Sequence, residues 1–424
     1  MSKSAQRRIE VWADWVGLDG PTFMGALLAT PSRGKEIFSF EYDDNWLAQA
    51  SGRSLDPSLG FYSGPQYAPS YQDNFGMFFD SCPDRWGRVL MLRREAQLAR
   101  SEGRKERKLL ESDYLLGVHD SHRMGALRFR VEIDGPFLDH SQYMPTPPWT
   151  SLRELEQVSL KLERGDAHDE PDYARWLRML IAPGGSLGGA RPKVSVMDKS
   201  GSLWIAKFPS RRDGDDVGAW EAVVHELANR AGLQVATART SKFGSDHHTF
   251  MTKRFDRTTD GRRVHFASAM TLLQRSDGDN AASGASYLEL AELIMKSGSQ
   301  TDHDLKELWR RIVFFICVSN TDDHLRNHGF LLGPLGWSLA PAYDMNPNPQ
   351  GVGLKLNISE TDNTLDLALA RDVAQFFRIG DALADEIINN VISAVRGWRT
   401  SAKKFGISRD EQERMTPAFD HARS

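Results

Sequence analysis

Cysteine is nearly absent. Cys82 and Cys317 are the only two in the chain, they lie far apart, and Cys317 sits inside the apolar run Ile312–Val318. Two buried free thiols are expected rather than a bridge, which suits a reducing compartment. An excess of one charge is also missing. Against 57 Asp and Glu stand 53 Lys and Arg, a formal net charge of −4, so nucleic acid is disfavoured as the main direct ligand, because duplex binding depends on neutralising many phosphates. The basic run Arg104-Lys105-Glu106-Arg107-Lys108 is interrupted by acid and reads as a solvated helix face. No apolar stretch approaches the ~18 residues that span a bilayer, and Met1–Gly20 mixes charges with Trp and carries no apolar signal core. The expectation is a cytoplasmic protein without membrane contact. Internal repeats and low-complexity tracts are absent as well.

What is present is an ordinary globular composition. Apolar residues make up 40 % and charged ones 26 %, enough for a core, and at ~100–200 residues per domain the length calls for two or three packed units. Short β segments are predicted at Arg8–Trp12, Met24–Leu28 and Glu36–Tyr42, followed by a helix from about Asp84 to Arg100. Pro145-Thr146-Pro147-Pro148 marks a boundary, since prolines remove donors and favour extended chain. Beyond it a helix is predicted around Ser151–Arg164. A hairpin of Val194–Met197 and Leu203–Pro209 then turns at Asp198-Lys199-Ser200-Gly201. From Ser286 onward the pattern is mainly helical, at Ser286–Lys296, His303–Val318 and Asp372–Phe405. The predicted division is a β-rich subdomain over 1–145, a region with a glycine-rich loop over 150–257, and a mainly helical region over 258–424.

The chemistry begins at Gly184-Gly185-Ser186-Leu187-Gly188-Gly189-Ala190-Arg191-Pro192-Lys193. Glycine without a Cβ lets consecutive backbone amides crowd round a phosphate; the alternative is a plain surface turn. Ala190 rather than Lys follows Gly189, which excludes a Walker motif, and a strand rather than a helix comes next, which excludes a dinucleotide fingerprint. A glycine-rich loop leading into a strand is the order that protein kinases use. In Leu203-Trp204-Ile205-Ala206-Lys207-Phe208, alternation puts Lys207 on the face of Leu203 and Ile205, either at a solvated strand end or reaching into a site. Asp215 or Asp216 caps a helix over Val217–Ala231. Glu221 falls on the edge of its buried stripe, where a carboxylate is costly unless paired. Lys207 is the expected partner, as in kinases that hold ATP phosphates with a strand lysine and a helix glutamate; a purely structural ion pair is the alternative.

Downstream comes Ser319-Asn320-Thr321-Asp322-Asp323-His324-Leu325-Arg326-Asn327-His328. Asp322 and Asn327 have the D-x-x-x-x-N spacing of a kinase catalytic loop, in which Asp accepts the hydroxyl proton and Asn binds magnesium. A hairpin of Gly329–Leu332 and Trp337–Ala340 then delivers Asp344, and its carboxylate with the Asn327 amide oxygen suits hard Mg²⁺. Against this stand a turn capped by Asp322 and Asp323, and a zinc site at His324 and His328. Zinc is disfavoured because Leu325 replaces the expected Glu.

These blocks resemble the HipA family of bacterial toxin kinases. The resemblance is carried by Ser186–Lys193, Trp204-Ile205-Ala206-Lys207-Phe208-Pro209, Asn320–His328 and Ala340-Pro341-Ala342-Tyr343-Asp344. More weakly it extends to Phe78–Arg88 and Gly125–Phe129. It implies an α+β fold, a two-lobed protein-kinase-like core with a mixed α/β N-terminal half and a mainly helical C-terminal half. It implies a serine/threonine kinase using ATP and Mg²⁺, with Asp322 as catalytic base and Asn327 and Asp344 as metal ligands. Gly188, Gly189, Ala190, Lys193, Lys207 and Glu221 would serve the nucleotide phosphates. Lys253, Phe255 and Asp256 would form the hinge, with backbone near adenine and Asp256 near the ribose. Ser186 matches the loop serine that the family autophosphorylates to switch itself off. The implied targets are aminoacyl-tRNA synthetases, whose phosphorylation stalls growth. The implied partner is a small helix-turn-helix antitoxin that binds operator DNA, so that DNA is met only indirectly. Arg191 stands where glutamine is common, and Lys253 where the best-known member has a glutamate. A weakly catalytic corepressor acting through an antitoxin–DNA complex, and a small-molecule kinase on a related fold, are the other readings.

Overall fold

The fold, a computed structural model, is described for residues 6–49, 54–140, 146–164, 166–181 and 191–422. The Gly184–Ala190 run, and with it Ser186, Gly188, Gly189 and Ala190, lies outside the described residues. The chain forms two compact units. The first runs to Arg211 and takes back Asp256–Ala267; the second comprises Arg212–Phe255 and the chain from Ser268 onward. Among the described residues no helix is long and apolar enough to cross a membrane, and both cysteines are buried and form no disulfide, as expected.

In the first unit, β1 (Arg7–Ala13), β2 (Thr22–Ser32), β3 (Lys35–Tyr42), β4 (Gln66–Tyr67) and β5 (Leu127–Arg130) form an antiparallel sheet in the order β4-β3-β2-β1-β5. Alternation gives each strand one apolar face: Ile9, Val11 and Ala13 on β1, and Phe38, Phe40 and Tyr42 on β3, are buried. Helix α1 (Arg85–Ser101) begins at Asp84, whose carboxylate accepts from the Gly87 amide at 2.7 Å. Helices α2 (Leu152–Leu162) and α3 (Tyr173–Ile181) follow, each with a buried apolar stripe. The hairpin of β6 (Lys193–Met197) and β7 (Leu203–Lys207) places Lys193 opposite Lys207. Its turn is held by Asp198, which accepts from the amides of Ser200 and Ser202 and from the Trp204 indole.

The returning segment 256–267 is a plug in this first unit. Asp256 Oδ2 accepts from the Gly125 amide at 2.9 Å and from Arg257 at 2.7 Å. Arg257 also donates to the Arg123 carbonyl, Arg263 pairs with Asp120 at 3.1 Å, and the Val16 amide donates to the Arg263 carbonyl. Gly125 has φ +70, and a Cβ there would come within 3.0 Å of the Phe266 amide nitrogen, so glycine is required.

In the second unit, α4 (Val217–Arg230) is capped by Asp216, and β8 (Ala238–Ser241) pairs antiparallel with β9 (Thr249–Lys253). Helix α5 (Tyr287–Ser297) has a capping box of Ser286 and Glu289. Helix α6 (Thr301–Val318) is the centre of the unit, with Ile312, Val313, Phe314, Ile316, Cys317 and Val318 fully buried. A helix apolar all round needs protein on every side. Its polar half pays for burial internally: Glu307 accepts from Arg311 at 3.0 Å and from the Gln234 amide, and Arg311 donates to the Ala340 carbonyl. The predicted Asp372–Phe405 helix is interrupted. It resolves into α7 (Asp381–Arg396) and α8 (Trp398–Lys404), with the chain turning at Arg378 and Gly380 before the first and at Gly397 between them. The α+β class, with a mixed first unit and a mainly helical second, is what the chain adopts.

Candidate active site

Helix α6 ends where Ser319 turns to a left-handed conformation, φ +48, and the chain leaves as the loop 319–328. Asp322 and Asp323 then part company. Asp323 is buried, and its Oδ2 accepts from the Tyr287 hydroxyl at 2.6 Å and from His328 Nε2 at 2.7 Å. That anchor, reaching α5 on one side and the loop's own end on the other, fixes the backbone and leaves the Asp322 side chain exposed. Burial and the Asp323 carboxylate push the Tyr287 phenol well above its usual range, so it remains a donor. His328 Nε2 is thereby committed to Asp323. Among the described residues no three His, Cys, Asp or Glu side chains gather to hold a metal.

Within the loop, Asn327 Nδ2 donates to the Asp322 carbonyl at 3.1 Å, which turns its Oδ1 away from that carbonyl. The chain that delivers Asp344 is laid against the same loop. The Tyr343 hydroxyl donates to the Arg326 carbonyl at 2.7 Å, and the Asn346 amide donates to Asn320 Oδ1 at 3.1 Å. Asn348 meets both Ser319 and Thr321. Asn327 and Asp344 are thus neighbours of two residues in direct contact. Asp344 itself is held at φ +57. An amide oxygen and a carboxylate on adjoining segments are the donor types that a hard divalent cation prefers, so the chemistry of Asn327 and Asp344 suits Mg²⁺.

The Phe255 ring lies 5.5 Å from that of Tyr343 between centroids. Lys253 ends β9, its amide donating to the Thr237 carbonyl. Glu221 is buried on α4, as its position on the stripe predicts, and Lys207 closes β7 half-buried. Lys207 belongs to the first unit; Glu221, Asp322, Asn327 and Asp344 belong to the second.

Two nucleotide-site expectations meet a different environment. Lys193 is buried and its ammonium lies 3.3 Å from the buried Asp84 carboxylate, so its charge is matched inside the first unit. Asp256, expected near a ribose, is 0 % exposed and engaged by the Gly125 amide and Arg257; it holds the 256–267 plug in place. Sequence reasoning also missed the residues that shape the loop. Asp323, His328 and Tyr287 anchor it, and Tyr343 ties it to Asp344. The available signal was the Asp-Asp pair itself, since a carboxylate in an otherwise apolar neighbourhood is buried only with donors to meet it.

A sequence model of the HipA-like C-terminal domain family matches residues 185–398, half of the 424-residue chain. No curated protein matches the chain. Among solved structures, the HipA toxin of Shewanella oneidensis MR-1, determined with HipB and its operator DNA, aligns over 98 % of this chain and 95 % of its own. It does so at 18 % identity and a TM-score of 0.64, a shared fold. The proinflammatory kinase CtkA of Helicobacter pylori aligns over 56 % of this chain and 89 % of its own at 16 % identity and a TM-score of 0.41, a looser likeness. The chain belongs to the HipA family.

Proposed function

We propose that the chain is an ATP- and Mg²⁺-dependent serine/threonine protein kinase and acts as a growth-inhibiting toxin on the translation machinery. The observation that carries this reading is the loop 319–328, with Asp323 pinned in the core, Asp322 exposed, and Asn327 adjoining the Asp344 segment. A fixed backbone presenting one carboxylate to solvent beside an oxygen donor pair is what phosphoryl transfer asks of a protein, where catalysis is mostly positioning and charge stabilisation. Mg·ATP, when bound, would supply the transferable phosphoryl group and the cation to balance its charge. Asp322 orients the acceptor hydroxyl and takes its proton, Asn327 and Asp344 would hold the metal, and Lys207 and Glu221 would serve the nucleotide phosphates. Lys253 and Phe255 line the adenine end. The glycine loop through Gly188, Gly189 and Ala190 covers the phosphates.

Three further parts of the proposal rest on family resemblance: self-inactivation at Ser186, a substrate of the aminoacyl-tRNA synthetase class, and a HipB-like helix-turn-helix antitoxin that brings the chain to operator DNA. A phosphate on Ser186 would add about −1.5 to −2 charges where the nucleotide phosphates sit and repel them.

The test is transfer of labelled phosphate from Mg·ATP to protein in cell lysate. Asp322→Asn is expected to lose roughly 10²–10⁴ in rate, the worth of a general base; turnover equal to the native protein would remove Asp322 from the mechanism. Ser186→Ala is expected to stay active and stay unsilenced. Mass spectrometry after incubation with Mg·ATP checks it, and phosphate found only at other positions would refute the switch.

A further inference from the structure

Helix α4, which carries Glu221, is held from behind by the chain's last helical segment, α9 (Arg409–Met415) with the turn Thr416–Ala422. One oxygen does the joining. Glu411 Oε1 accepts from the Asp216 amide at 2.9 Å and from the Trp220 indole nitrogen at 2.8 Å. Those two donors are four residues apart, so a single carboxylate spans the first turn of α4, and neither rotation nor sliding of the helix keeps both bonds. Around this point the Trp220 ring lies 6.0 Å from Trp398 and 6.1 Å from Phe419, which stack on each other at 4.5 Å. Arg414 pairs with Asp215 just before the helix. Five residues beyond Glu221, Glu226 accepts from Lys404 at 2.6 Å and Ser401 at 3.0 Å. The family match ends at Trp398, so Glu411, Arg414 and Phe419 lie beyond it.

We propose that this segment is a latch that fixes the helix of the phosphate-site glutamate, and that Glu411 is a positioning residue for Glu221. The proposal rests on the reading of Glu221 as the partner of the phosphate-binding lysine. Where a kinase regulates itself by moving such a helix, the helix must be free to swing. Here its N-terminal turn is bound to the body of its own unit through Glu411 and the Trp398–Phe419 stack, so Glu221 is held in one place whether or not nucleotide is bound.

The experiment uses the full chain and the affinity for the non-hydrolysable imido analogue of ATP with Mg²⁺, at a temperature where circular dichroism shows every variant folded. Glu411→Ala is expected to weaken binding about tenfold, the scale of one hydrogen bond to a charged group. Glu411→Gln, which keeps an oxygen acceptor, is expected to restore most of it. The decisive readout is coupling: in a Glu221→Gln background, Glu411→Ala is expected to cost nothing further. Unchanged affinity in Glu411→Ala while Glu221→Gln binds weakly overturns the latch, and so does an equal loss in both backgrounds. If Glu221→Gln itself binds normally, it is the reading of Glu221 that falls, and the latch with it. Should Glu411→Ala not fold, Trp220→Phe carries the same comparison, since it removes the indole donor and keeps the ring.

Discussion

Asp322 and Asp323 are the same side chain on adjacent residues with opposite surroundings. Asp323 is shut into the core with two donors aimed at it, whereas Asp322 faces water. Replacing Asp323 with alanine would strand the Tyr287 hydroxyl and His328 Nε2 in a dry site, each without its acceptor. A cost of about 3 kcal/mol is expected, read as a lowered denaturant midpoint, together with loss of phosphoryl transfer because the Asp322 backbone is no longer fixed. Full activity in a folded Asp323→Ala protein would show that the anchor does not govern the loop. At this scale the sequence was half legible. The spacing from Asp322 to Asn327 and the carboxylate at Asp344 are local patterns, and the roles proposed for these residues rest on them. The environments of Lys193 and Asp256 were not legible, because Asp84 and Gly125 are distant in the chain and only tertiary packing brings them near.

Among the elements, those specified by local rules were the readable ones. Asp215 or Asp216 before an apolar stripe gave the start of α4, the helical pattern from Ser286 gave that of α5, and Asp198–Gly201 gave the β6–β7 turn. Helix α3 was missed although Tyr173, Trp176, Leu177 and Leu180 have helical spacing, and the β8–β9 pair was missed because β8 carries no buried residue and β9 is buried over three consecutive residues without alternation. The β6–β7 turn makes a pH prediction. Burial alone would raise the Asp198 pKa, but hydrogen bonds from Ser200, Trp204 and Ser202 outweigh it and bring the value from 3.8 down to about 2. A carboxylate depressed on folding contributes stability that is fully present above its unfolded pKa and lost as pH falls through the folded one. The hairpin that carries Lys207 is therefore expected to weaken between about pH 4 and pH 2 in the native protein. Asp198→Asn should lack that increment. Amide exchange along β6 and β7 in the two proteins measures the difference, and identical acid profiles would exclude the turn as its source.

At the scale of the whole molecule, the covalent order and the packing order disagree. The first unit is finished by residues 256–267, which arrive only after the chain has built α4 and the β8–β9 hairpin of the second unit. A polypeptide of residues 1–211 would leave the Gly125 amide, the Val16 amide and Asp120 without the partners that Asp256, Arg263 and its carbonyl provide. It is expected to show little cooperative unfolding, and the same polypeptide with 256–267 joined through a flexible linker is expected to regain it. Cooperative melting of 1–211 alone would show the plug to be dispensable. The consequence reaches past stability. Because the finishing piece of one unit is spelled inside the coding stretch of the other, no single crossover between two related genes can exchange one unit without taking part of the other with it. An exchanged copy inherits a plug shaped for a different socket, so the two units are bound to change together.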